Sequence, residues 1–267
     1  MAGIHIIKSA GLSGISGFSV VVEVSITNGL PGFAIVGLPD NSVRESRERV
    51  RAAIKSIGLE FPMRRILVNL APADTKKEGP IYDLPIAIGL LAASEQIEAV
   101  SEKSMFIGEL SLDGNLRPVT GMLPMALAAR ASGVDSLFIP RDSALEASIA
   151  EGLKVYPAAH ICEIIDHLRG EKAIEAAPPY SPAACESDGP DFSEVRGQFS
   201  AKRAIEVAVS GAHNILLTGV AGGGKSMMVR RIPTVLPPMS MSEMIETTAV
   251  HSAAGLTNKR APLLVRR

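Results

Sequence analysis

Hydrophobic positions alternate with polar ones early in the chain and soon take up a helical spacing. Residues 18–26, Phe-Ser-Val-Val-Val-Glu-Val-Ser-Ile, alternate loosely and are β-branched, which predicts a strand. Residues 28–32 read as a turn and 33–36 as a second strand. A helix is expected over 42–57, closed by Gly58, with Val43, Val50, Ile54 and Ile57 as its apolar stripe. Arg44, Arg47, Arg51 and Lys55 line another side of it. A basic stripe can face DNA, but a solvated face balanced by Glu45 and Glu48 is the preferred reading. Further strands are expected at 66–71, 136–139 and 154–157, and helices at 84–93, 123–132, 142–150 and 161–168. Residues 72–82 read as a polar loop, and 106–112 with 116–119 as a hairpin. Strands and helices alternate throughout, so the fold class is α/β.

From residue 170 to 190 the pattern stops, and Pro, Ala, Ser and Gly dominate. A linker is expected over 171–190, between a domain at 1–170 and another at 191–267. After it come Asp191-Phe-Ser-Glu-Val-Arg-Gly-Gln198, a helix over 200–210, and an apolar stretch at 215–219 expected to be a short buried strand.

That stretch runs into a glycine loop. Gly219, Gly224, Lys225 and Ser226 fit G-x-x-x-x-G-K-[ST], and Gly222 and Gly223 add glycine inside it. Glycines let the backbone take positive φ and aim its N–H groups at an anion. A helix starting near Lys225 would add the positive end of its dipole. Lys225 is expected to reach the β- and γ-phosphates of ATP, and the Ser226 hydroxyl to ligate Mg²⁺. After Ser226 the only carboxylates are Glu243 and Glu246, in a stretch that reads as a helix start. A P-loop motor needs an acidic residue at a second strand end, so the half of the site that drives hydrolysis is expected to be missing. Residues 262–265 read as a further strand.

The 267 residues allow one large or two modest domains. Cys162 and Cys185 stand alone and suggest neither a disulfide framework nor a zinc site. No stretch resembles a signal peptide or reaches membrane length, so the cytoplasm is expected. The net charge is −1, yet from Asp191 onward ten Lys and Arg face five acids. A basic nucleotide-binding part suits phosphate, and weakly nucleic acid.

Several segments resemble the YifB/ComM proteins, AAA+ ATPases related to the magnesium-chelatase ATPase subunit. They include Asp191 to Gln198, Ala201-Lys-Arg-Ala-Ile-Glu-Val-Ala, Gly211-Ala-His-Asn and the P-loop. In the front half they are Asn28-Gly-Leu-Pro-Gly-Phe, Ile35-Val-Gly-Leu-Pro, Asn69-Leu-Ala-Pro-Ala-Asp and Asp83-Leu-Pro-Ile-Ala. The resemblance covers nearly the whole chain. It departs in Val220-Ala221, where a Pro-Pro pair is usual, and in Gly223, where Ser or Thr is commoner. It implies an ATPase that forms hexameric rings, binds DNA and promotes branch migration during transformation. It also implies that Gly197 and Gln198 lie near the adenine, and that the chain is cut short after the P-loop.

The front domain also resembles the Lon protease fold, which raises a peptidase reading. The positions matching its Ser–Lys dyad hold Ile81 and Leu123, and neither can attack a carbonyl or take a proton. A Lon-like domain without the dyad is expected. His5, His160, His167, His213 and His251 lack a paired acid or thiol, so structural or surface roles are expected for them.

Overall fold

A computed structural model describes residues 3–181, 190–258 and 260–265. The chain divides into two compact units: Met1–Ser181 with Thr248–Leu263, and Pro182–Thr247 with Leu264–Arg267. Of the linker expected over 171–190, residues 182–189 lie outside the described residues, as does Cys185. Residues 171–181 instead belong to the first unit: Ala177 N–H donates to Val155 O at 2.8 Å, and Ile174 and Ala177 pack against its core.

The first unit is built on strands β1 (Ile4–Ser13), β2 (Ser16–Thr27), β3 (Gly32–Val36), β4 (Arg65–Ala71), β5 (Ser104–Phe106), β8 (Ser136–Pro140) and β9 (Lys154–Ala158). They form one sheet in the order β3-β4-β2-β1-β5-β8-β9. β1 pairs antiparallel with β2, and β2 with β4; the other four pairings are parallel. The expected mixed α/β class is what the chain forms. A two-residue connection, Gly14-Ile15, closes the β1–β2 hairpin, with Gly14 at φ 60° where glycine is favoured.

Five helices belong wholly to this unit: α1 (Asn41–Ser56), α2 (Asp83–Ala93), α3 (Met122–Ala131), α4 (Ala144–Ala147) and α5 (Ile161–Leu168). Asp40 caps α1 by accepting the Val43 N–H at 2.7 Å, and Val43, Val50, Ala53 and Ile54 face the core. From Asp83 to Ala92 every residue of α2 is buried, so it is apolar all round, as a helix inside a core must be. α3 comes so close to the sheet that a Cβ at Gly17 would collide with the Pro124 carbonyl.

The structure corrects four expectations here. β1 was not expected at all: Ser9 and Lys8 break the alternation, and Ile4 and Ile6 point to the exposed face while Ile7 and Ala10 are buried. Phe106 belongs to β5 in the main sheet. The hairpin is therefore only β6 (Glu109–Leu110) with β7 (Leu116–Arg117). The helix expected over 142–150 shrinks to a 3-10 turn and the four residues of α4. Residues 262–265 form no strand, because no neighbouring strand offers them a ladder.

The second unit holds α6 (Phe199–Ser210), α7 (Lys225–Val229) and the start of α8 (Met241–Ala253). Ser240 and Glu243 exchange the bonds of a capping box at the start of α8. The core of this unit is small: Phe192, Val195, Ile205 and Met228, with Leu217, Val209 and Ile232 packed against it. The strand expected over 215–219 is absent. Leu216 is 85% exposed, and among the described residues no strand pairs with it.

Candidate functional site

The loop that carries the P-loop pattern lies between Thr218 and α7. Gly219, Gly222 and Gly224 take φ of 154°, 78° and 80°, conformations that favour glycine. Gly223 N–H donates to Val220 O at 3.3 Å, which tightens the turn. Among the described residues, the N–H groups of Ala221, Gly222 and Gly224 find no backbone carbonyl. A Cβ at Gly222 would meet nothing within 4 Å, so the loop has open space before it. These are the features an anion cradle needs: unclaimed donors, room, and glycine where φ is positive.

Lys225 opens α7 and turns its Nζ back onto the loop, 2.8 Å from Gly219 O and 2.7 Å from Val220 O. Its ammonium is thus held at the loop. Ser226 is the second residue of the helix and is exposed. The residues present fit the expected ATP phosphates and Mg²⁺, as the loop offers donors, one cation and a hydroxyl on a single short turn.

The unit also brings the 191–198 segment to the P-loop helix. Met228 of α7 shares a core with Phe192 and Val195, and Arg231 pairs with Glu194 at 2.6 Å. Phe192 N–H donates to Thr234 Oγ1 at 3.0 Å. Gly197 and Gln198 follow, both at positive φ (68° and 53°), and Gln198 precedes the first residue of α6 without a side-chain capping bond. Glu243 and Glu246 lie on α8 rather than at a strand end, and Glu243 is engaged with Ser240.

In the first unit, the positions matching the Lon dyad are buried aliphatics: Ile81 is 8% exposed and Leu123 fully enclosed. The Leu123 N–H at the start of α3 is taken by Glu146 Oε1 at 3.0 Å. Glu146 also accepts from Ser252 and, at 3.3 Å, from Thr257 Oγ1. The sequence offers no signal for this clasp, since Ser252 and Thr257 lie more than a hundred residues from Glu146. Arg49 and Asp83 were missed for a related reason. Arg49 makes a two-pronged bond to the buried Asp83 (2.7 and 3.0 Å) from a helix on which Arg44 and Arg47 are exposed. Burial pushes the Asp83 carboxyl above the ordinary range, against the pull of Arg49 and the Leu110 N–H. Lys77, expected in a polar loop, is buried and donates to the carbonyls of Pro72 and Thr75. His160 caps α5, and His167 Nδ1 accepts the Ile174 N–H, both structural roles.

A seven-stranded, mostly parallel α/β domain followed by a glycine loop on a helix defines the class: a Lon-like domain joined to AAA+-type sequence. Residues 22–143 match the family described as subunit ChlI of Mg-chelatase, and 191–267 match magnesium chelatase, subunit ChlI. An uncharacterised protein of Mycobacterium tuberculosis is 40% identical over 259 residues, which cover 97% of this chain and 51% of that protein. Competence protein ComM of Haemophilus influenzae is 40% identical over 252 residues, 92% of this chain and 49% of ComM. Lon protease 1 of Bacillus subtilis is 26% identical over 182 residues, 63% of this chain and 23% of the protease. The chain belongs to the magnesium-chelatase-related YifB/ComM family of AAA+ proteins. It spans about half the length of the relatives it matches. No helix among the described residues is long and apolar enough to cross a membrane.

Proposed function

We propose that the chain binds ATP with Mg²⁺ on the 219–226 loop and, in an assembly of the YifB/ComM type, acts on DNA. The loop conformation carries this reading: three glycines at positive φ, unclaimed N–H donors, and the Lys225 ammonium held at their rim. Bound ATP would supply a γ-phosphoryl group for transfer to water, with ADP as the leaving group, and the metal would neutralise charge on the phosphates. Lys225 would leave the Gly219 and Val220 carbonyls for the β- and γ-phosphates. Ser226 would hold Mg²⁺, and Gly197 with Gln198 would border the adenine. The proposed division is a Lon-like domain over 1–170, a linker over 171–190 and a partial P-loop domain from 191 to 267. A homohexameric cytoplasmic ring promoting branch migration in transformation is the role proposed for proteins of the relatives' full length.

One observation favours a second reading, that this chain binds nucleotide without turning it over. Both carboxylates after Ser226 lie on α8, and none stands at a strand end. Titration with a fluorescent ATP analogue and Mg²⁺ should show binding that Lys225→Ala weakens by about tenfold or more. No binding by the unmodified chain would overturn the first reading. Phosphate release above background that Lys225→Ala abolishes would overturn the second.

A further inference from the structure

The basic stripe of α1 does not have the counter-charges that its sequence suggests. Arg44, Arg47, Arg51 and Lys55 recur on one side of the helix, spanning roughly 16 Å at 1.5 Å per residue. Glu45 lies 3.7 Å from Arg49 instead. Glu48 borders the stripe without pairing. Among the described residues, none of the four cations forms a salt bridge, nor does Arg64 or Arg65 nearby.

The same face carries aromatic rings. Arg47 Nη1 donates to the Phe33 carbonyl on edge strand β3 at 3.3 Å. The Arg51 guanidinium lies 5.4 Å from the centre of the Phe61 ring, and Phe61 lies 6.0 Å from Phe33. Beside them opens a groove of about 850 Å³ lined by Lys55, Phe61, Met63, Arg64 and Gln96, with Glu60 and Glu95 also on its wall. Both rings are half-buried and pack against the core of the unit. Unpaired cations in a row attract a polyanion, while a guanidinium laid on a ring makes a flat apolar-cationic platform. A duplex keeps its bases stacked inside and has no use for the platform; an extended single strand exposes them to it.

We propose that this face of the first unit binds single-stranded nucleic acid. Its phosphates run along Arg44, Arg47, Arg51 and Lys55, and bases stack at the Arg51–Phe61 platform and the groove beside it. The proposal rests on the DNA-acting reading above and adds to it the surface and the strand state.

The test is fluorescence anisotropy of labelled oligo-dT and of a duplex of equal length, at several salt concentrations. The protein is the whole chain, with far-UV circular dichroism melting to show that each variant folds. Oligo-dT should bind more tightly than the duplex. Arg44→Glu with Lys55→Glu should weaken oligo-dT binding about tenfold or more. It should also flatten the slope of log affinity against log salt by about 1.4, the share of two phosphate contacts. Phe61→Leu should weaken oligo-dT binding about fivefold or more and leave duplex binding unchanged. If Phe61→Leu lowers the melting temperature, Arg51→Gln replaces it, removing the guanidinium and sparing the ring. Tight oligo-dT binding that ignores all these changes would overturn the surface and leave the DNA reading standing. Equal duplex binding with a silent platform variant would overturn the single-strand assignment. If neither nucleic acid binds at low salt, the surface proposal is overturned, while the DNA-acting reading, made for the longer assembly, is not.

Discussion

Two apolar stretches, β2 in the first unit and 215–219 in the second, meet opposite fates. β2 has β1 on one side and β4 on the other, and its Val20, Val22 and Val24 are fully enclosed. Residues 215–219 have similar residue types, yet they form no ladder, and Leu216 is left 85% exposed. A strand is a property of the pairing as much as of the segment. Backbone donors and acceptors need partners, and a parallel-type strand must be covered on both faces. The two cores differ accordingly. One is a continuous cluster running from Ile7 to Ile165, and the other rests on Phe192, Val195, Ile205 and Met228.

The hardest way to break this contrast is to strike the first unit at its buried ion pair. Asp83→Ala removes a fully enclosed carboxylate and leaves the Arg49 guanidinium without its two-pronged partner. Losing one member of such a pair costs about 3–5 kcal/mol, because the other charge stays desolvated. Urea unfolding followed by circular dichroism should show that loss. A change below about 1 kcal/mol would mean that the pair is dispensable.

Amide hydrogen exchange compares the two units without perturbing either. The amides of β1 and β2 should exchange only with global unfolding, and those of residues 213–220 close to the rate of an open chain. Ile205→Ala should speed exchange across α6 and leave β1 and β2 unchanged, because it hollows only the small core. Strong protection at 215–219 would show that the segment has a partner in solution, and the contrast would fail.

Where local pattern and final environment agree, the sequence was readable. α1, α2 and β4 lie within one or two residues of their expected ranges, because each buries one regular stripe or, for α2, every side. The glycine loop was legible for the same reason, since its spacing is local. What escaped depends on distant partners. β1 is half exposed on its Ile4–Ile6 end and carries Ser9 inside, so no alternation marks it. Arg49 looks like its exposed neighbours until Asp83, 34 residues away, comes within reach. The 215–219 strand was expected from composition, but pairing decides, and composition does not encode pairing.

The smallest effect comes from His167, which sharpens the picture of the first unit's edge. Its Nδ1 accepts the Ile174 N–H at 2.9 Å, and its ring packs on Phe138 and Tyr156 with centres 5.3 and 5.0 Å away. Only the neutral imidazole can accept that bond, and burial holds its pKa below the ordinary 6.5. The native state therefore binds a proton less readily than the unfolded chain does. The stability this provides is fully present above about pH 6.5 and is lost as pH falls through the depressed folded value. Melting temperature should decline gently over that window. His167→Asn keeps an acceptor for Ile174 but cannot titrate there, so it should flatten the decline. A variant with the same pH profile as the parent would place the titrating group elsewhere.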